Sequence, residues 1–147
     1  MLKSIDEKDA GRYRQENVVI AAGASTTPPD FLHLPEEMKL LIEWHEQAGQ
    51  MHVVERASEL HTRFVKIQPF IDGNGRTGRL LLNFELMKAG YPPAIIRKED
   101  RLAYYDSLDD ACSNGDFSGI TQLVANSVQR SLDTYLDVLG LRKEHRQ

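Results

Sequence analysis

One cysteine in 147 residues excludes an internal disulfide, so the fold has to rest on packed apolar surface. That residue, Cys112, reads as a small core or boundary side chain, and a lone thiol suits a reducing compartment. No apolar run approaches the roughly 20 residues that cross a bilayer. The N-terminus, MLKSIDEKDAGRYR, lacks the apolar stretch of a secretory signal. A soluble, cytoplasmic protein with no membrane partner is the expectation. Neither sign of charge dominates: 18 basic and 22 acidic side chains leave a net charge of −4. A nucleic-acid surface would need a local basic patch, and only the short RKEHRQ tail offers one, so no nucleic-acid partner is expected. Histidines at metal-ligand spacing such as H-E-x-x-H are absent, as are repeats and low-complexity tracts.

What is present is the make-up of one ordinary domain spanning residues 1–147, with 41% hydrophobic and 27% charged residues. Val18, Val19, Ile20 and Ala21 form a β-branched run ending at a glycine, which is the best strand candidate in the chain. Pro35 sits where a helix favours a first-turn proline, with Met38, Leu41, Ile42 and His45 at helical spacing behind it and Trp44 as an anchor. Between Val54 and Ile67, the residues Ala57, Leu60, His61, Phe64 and Ile67 recur every three or four positions, the stripe of a buried helix. Pro69 disfavours helical geometry at Gln68, so the chain is expected to leave that helix extended. A further helix is expected from Asn74 or Gly75 to Ala89, with Leu80, Leu81, Phe84 and Met87 inward and Gly90 at its end. GYPP breaks it, and two more helices are expected over Lys98 to Ala111 and Asp116 to Val138. The fold class is therefore mostly α, a compact helical bundle with one small β element.

Between the second and third of these helices lies QPFIDGNGRTGR, residues 68 to 79. Gly73 to Gly78 fit G-x-G-x-x-G, but a helix rather than a strand precedes them, which argues against a dinucleotide fold, and no Gly-Lys-Ser/Thr follows to make a P-loop. The physics of anion binding needs neither fold, only free backbone N–H groups at a helix N-terminus. Arg76 and Arg79 lie in the first turn, where a cation is disfavoured by about 0.3–1 kcal/mol. A bound polyphosphate would offset that, each guanidinium offering forked donors to its oxygens. Ion pairing with Asp72 or Glu85 is the plainer alternative. Asp72 reads as a turn or cap residue, or as a Mg²⁺ ligand if a triphosphate lies on the helix end.

These residues resemble the Fic family, whose motif runs His-Pro-Phe-x-Asp/Glu-Gly-Asn-Gly-Arg-x-x-Arg; every specified position matches except the first, which is Gln68. GRYR, VVIAAG with a following PP, LHTRFVKI, RLLLN, AGYPP and YY extend the likeness over almost the whole chain. The resemblance implies a helical fold with a β-hairpin flap, and transfer of AMP from ATP onto a Ser, Thr or Tyr hydroxyl of a target protein. By position it implies Gly73, Asn74 and Gly75 cradling phosphates, Arg76 and Arg79 holding the outer ones, and Tyr104 lining the nucleotide pocket. It further implies Mg²⁺ on Asp72 and the flap Val18 to Ala21 aligning the target by strand pairing.

The family's histidine is the general base at the position of Gln68, and an amide has no useful basicity. Since a general base contributes about 10²–10⁴-fold, transfer is expected to be severely impaired while binding persists. An engineered substitution and a natural variant both fit, and the intact phosphate positions favour the former. A non-catalytic nucleotide or peptide module, and a Fic enzyme moving phosphocholine, phosphate or UMP, are the alternatives. His61, on the apolar stripe, reads as a core residue and not a substitute base. Family members carry an inhibitory Ser/Thr-x-x-x-Glu helix that pairs with the residue at Arg79; none occurs here, so an inhibitor would come from a partner chain or flanking segment. The start just before GRYR suggests a piece trimmed from a longer protein.

Overall fold

A computed structural model of the chain describes residues 7–20 and 24–141. Five helices make the body: α1 (Leu34–Gln47), α2 (Val53–Ile67), α3 (Asn74–Lys88), α4 (Arg101–Asn114) and α5 (Ser118–Val138). Their ends follow the charge and capping rules. Pro35 and the acids Glu36 and Glu37 occupy the first turn of α1. His52 Nδ1 caps α2 by accepting the Val54 N–H at 3.2 Å. Lys66 and Lys88 lie in the last turns of α2 and α3, and Gly90 and Gly115 take positive φ just past α3 and α4.

α2 is the axis of the bundle and packs against α1, α3, α4 and α5. The stripe expected from its sequence is the face that is buried: Ala57, Leu60, His61, Phe64 and Ile67. Two hydroxyls on the same helix, Ser58 and Thr62, are sealed in the core by donating to Val54 O and Ser58 O one turn back. Leu34, Leu82, Leu86, Ile120 and Val124 are fully buried as well, and Cys112 is buried, its thiol pushed up in pKa by burial. After α3 the chain returns as an extended PPA segment. Asn83 Oδ1 holds it by accepting the Ala94 N–H, while Ser127 and Ser131 of α5 donate to Ile95 O and Pro93 O.

Three expectations are corrected. Among the described residues there is no strand: Val18, Val19 and Ile20 form none and Val19 is 87% exposed, while Ala21 lies outside the described residues. A strand needs a ladder partner for its N–H and C=O groups, and Val18, Val19 and Ile20 have none among the described residues. Secondly, α3 turns a different face inward. Leu80, Phe84 and Met87 are 60%, 63% and 59% exposed, and Leu82, Glu85 and Leu86 are buried instead. Ile42 of α1 is likewise exposed, although Leu41 beside it is buried. No helix among the described residues is long and apolar enough to cross a membrane.

The face of α3 is set by a charge. Glu85 is buried and meets two cations and a histidine, drawn from three helices: Lys88 Nζ at 2.7 Å, Arg56 Nε at 3.1 Å and His45 Nε2 at 3.1 Å. Burial pushes this carboxyl up, but the bonds from Lys88, Arg56 and His45 outweigh burial and hold it below the ordinary glutamate value of 4.5. A folded-state pKa below the unfolded one means that the stabilisation is complete above the unfolded value and is lost as pH falls through the folded one. Glu85→Gln is expected to cost about 1–3 kcal/mol at neutral pH, read as a shift in urea midpoint. The gap between the two proteins should close in the acid range; a gap independent of pH would show that the charge of Glu85 is not what ties the three helices.

Candidate functional site

The loop from Gln68 to Gly73 joins the C-terminus of α2 to the N-terminus of α3. Gln68 is not extended as its proline neighbour suggests; it is left-handed, with φ 50° and ψ 58°. The physical reason is that its N–H still bonds Phe64 O at 3.3 Å, closing the helix in the αL manner before Pro69 diverts the chain. A non-glycine residue there costs roughly 1–3 kcal/mol, so other contacts must hold it.

Asn74, the first residue of α3, supplies most of them. Its Oδ1 accepts the Phe70 N–H at 2.9 Å, which fixes the amide's orientation. Nδ2 is then aimed at Phe70 O, 2.7 Å, and at Gln68 Oε1, 3.1 Å. With its oxygen accepting from Asn74, Gln68 directs Nε2 to Val65 O at 2.7 Å. Both atoms of the Gln68 amide are thus used in knitting the loop. Asn74 was expected beside the phosphates; its buried side chain serves the loop, and only its backbone N–H faces the helix end.

The start of α3 leaves backbone donors unused within the helix. Gly73 turns into α3 at φ 83°, a conformation glycine adopts without strain. The first intrahelical bond is Thr77 N–H to Gly73 O, so the N–H groups of Asn74, Gly75 and Arg76 have no partner within the helix, and no side chain caps it. Arg79 extends back along the helix, its Nη1 3.6 Å from where a Cβ on Gly75 would sit, an ordinary van der Waals contact. Arg76 pairs with Asp72 at 3.1 Å, the plainer alternative raised from the sequence, and Asp72 Oδ1 accepts the Gly73 N–H at 2.7 Å. Asp72 is 70% exposed and Arg76 45% exposed, so this bridge is worth about 0–1 kcal/mol and yields readily to a ligand.

Mg²⁺ fits this arrangement in one specific way. Among the described residues no three His, Cys, Asp or Glu side chains gather as a metal cage. A single exposed carboxylate at the edge of an anion seat matches an ion that takes one or two carboxylates and completes its shell with phosphate oxygens and water.

Beneath Arg79 lies a buried pair. His61 Nε2 is 2.6 Å from Tyr104 Oη, and neither residue reaches solvent appreciably. Burial drives His61 down to about 4, opposed by the backbone of Gly78 and helped by the nearby Arg79 charge, so it is neutral in the folded protein. Burial pushes Tyr104 up to about 12, against the opposing pull of Arg79. His61 is thus the core residue its place on the stripe implied, although its Nδ1 has no hydrogen-bond partner. Gly78 permits the contact: a Cβ there would lie 2.9 Å from Val65 Cγ2 and 3.1 Å from His61 Nδ1, so the backbone of α3 rests directly on α2. Tyr104 touches the site through Arg79 from below, and it is Tyr105 that is exposed.

Reasoning from sequence passed over Arg14, which is 4% exposed and whose Nε donates to Gln68 O at 2.7 Å. Its partners are carbonyl groups, which leave no pattern of side chains to read.

The model for the Fic/DOC family matches residues 1–86. Over 130 residues the chain is 40% identical to the protein adenylyltransferase Fic of Nematostella vectensis, covering 87% of this chain and 30% of that protein. It is 39% identical over 136 residues to the protein of the same name from Culex quinquefasciatus, covering 92% of this chain and 27% of that one. The solved structure of Fic-1 from C. elegans superposes with a TM-score of 0.81 at 34% identity, over 95% of this chain and 40% of that one. The chain spans less than a third of the length of these curated relatives.

The bonds of Asn74 give a direct test. Asn74→Asp keeps the acceptor for Phe70 N–H but removes both donors and sets a carboxylate against Phe70 O and Gln68 Oε1. It is expected to cost about 1–3 kcal/mol in urea unfolding, more than Asp72→Asn at the exposed edge of the same loop. Equal, small losses for both would remove Asn74 as the lock of the loop.

Proposed function

The chain belongs to the Fic/DOC family, and on that premise we propose that it seats Mg²⁺-ATP at the N-terminus of α3 and carries the scaffold for moving AMP onto a protein hydroxyl. One observation carries the seat: three backbone N–H groups without intrahelical partners, and two arginines, share one helix end where no acid lies within the first turn. In this reading Gly73, Gly75 and the Asn74 N–H cradle the phosphates, and Arg76 exchanges Asp72 for phosphate oxygens. Arg79, steadied from below by Tyr104, holds the outer phosphates. Asp72, released from Arg76, would hold Mg²⁺, which neutralises phosphate charge.

Transfer requires a target hydroxyl to attack the α-phosphorus as pyrophosphate leaves, with its proton removed by a base at position 68. Gln68 cannot take that proton, so the step loses the about 10²–10⁴-fold that a general base supplies. The segment from Val18 to Ile20 remains the place where a target strand would find unpaired backbone, the ladder forming only when the target arrives. A second reading has its own observation: the Gln68 amide is satisfied on both atoms, as in a protein that holds nucleotide without transferring it.

Calorimetry and labelling separate the two. The chain as written is expected to bind Mg²⁺-ATP, and Arg76→Ala to weaken binding about tenfold or more, the worth of a charge-assisted bond to phosphate. Gln68→His should leave ATP affinity nearly unchanged and raise incorporation of label from α-labelled ATP by about 10²–10⁴-fold. Binding without any gain of label would favour the holding module, and a folded protein that binds no ATP would overturn both.

A further inference from the structure

We propose that Arg14 is a positioning residue: a single buried guanidinium closes the root of the 16–29 excursion and fastens it to the main chain of Gln68. Its Nη1 donates to Glu16 O at 2.9 Å and its Nη2 to Pro29 O at 2.6 Å, so the two ends of that excursion are held by one planar group. Nε donates to Gln68 O at 2.7 Å, and Ile67 O lies 3.5 Å from Nη2. The backbone joins in, Arg14 N–H donating to Pro69 O at 3.0 Å. Asn17 extends the clamp: its Oδ1 lies 3.5 Å from Nη1 and accepts the Phe31 N–H, and its Nδ2 donates to Asp30.

Two features mark this as more than a surface contact. The acceptors Ile67 O and Gln68 O are the terminal carbonyls of α2, the negative end of its dipole, so a cation is favoured there even though burial opposes its charge. Moreover, a guanidinium has five N–H donors in a fixed plane, and three separate stretches of chain are addressed by that one fork. An ammonium is a point donor and cannot span them. Away from its root the excursion has a separate tie, Ser25 N–H and Oγ both donating to the Asp109 carboxylate on α4 at 2.8 and 2.7 Å. Arg14 therefore governs the distance between the root of the excursion and the Gln68 position, while Asp109 governs the other part.

The consequence for transfer rests on the reading of the site given above; the clamp itself does not. Arg14→Lys keeps the charge and loses the fork, and Asn17→Ala loosens the clamp from its exposed side without touching the buried charge. In both, amide hydrogen exchange over residues 15–30 is expected to accelerate, roughly tenfold or more for Arg14→Lys and less for Asn17→Ala, with exchange in α4 and α5 unchanged. In the Gln68→His protein, Arg14→Lys should lower label transfer on the order of tenfold to a hundredfold and leave ATP affinity within about threefold. Faster exchange spread evenly over all helices, unchanged exchange over 15–30, or a loss of ATP affinity as large as the loss of transfer would each overturn the assignment. Absence of ATP binding in the parent protein would sink the nucleotide reading alone, because the exchange pattern decides the clamp without nucleotide.

Discussion

The site depends on one buried amide. Asn74 closes a loop whose backbone would otherwise have no reason to bring the end of one helix against the start of another at a fixed angle. Its three bonds reach Phe70 twice and Gln68 once, so a single side chain sets the exit of α2 and the entry of α3 together. The N–H groups that open α3 converge only because that entry is fixed. Gly78 continues the same constraint one turn later by letting α3 lie on His61 and Val65 with no side chain between.

Against this rigid seat stands an unfavourable charge arrangement. The first turn of α3 carries arginine and no acid, the reverse of what a helix dipole favours. The Asp72 bridge to Arg76 offsets little of it, being largely in water. The unfavourable field therefore persists in the free protein, and an anion that relieves it gains binding energy without any rearrangement of the backbone. An enzyme surface built for stability alone would place an acid there. The structure places its acid, Glu85, three turns further on, where it binds α1 and α2 to α3.

How much of this was legible in the sequence follows from how each feature is encoded. The stripe on α2 was readable because its apolar residues alternate with charged ones. On α3 the run Leu80, Leu81, Leu82, Phe84, Leu86, Met87 is apolar on nearly every side, so periodicity cannot choose a face; the ion cluster around Glu85 chooses it, and that cluster joins residues from three helices. The left-handed turn at Gln68 was hidden because proline statistics describe local clashes, whereas the turn is held by Asn74 and Arg14 from outside. Arg14 itself was invisible, since a side chain that binds carbonyls has no partner residue type to find. That the glycines and arginines of the motif gather at one helix end was legible because their placement follows from spacing along the chain alone.

Binding and transfer separate at Gln68 on the proposed reading. Its backbone belongs to the frame: the N–H closes α2, and the carbonyl takes Arg14. Its side chain faces Asn74 and Val65 through bonds that any residue with one donor and one acceptor at that reach could make. A neutral imidazole has one donor and one lone pair, so a histidine at this position acts as a base only with its lone pair turned to the target hydroxyl and not to Asn74. On the proposed reading the phosphate contacts come from the α3 backbone and the two arginines, and the Gln68 side chain bears on them only through its one bond from Asn74. On that reading a chain that lost its base would keep the phosphate contacts themselves, provided that the side chain at position 68 still accepts from Asn74.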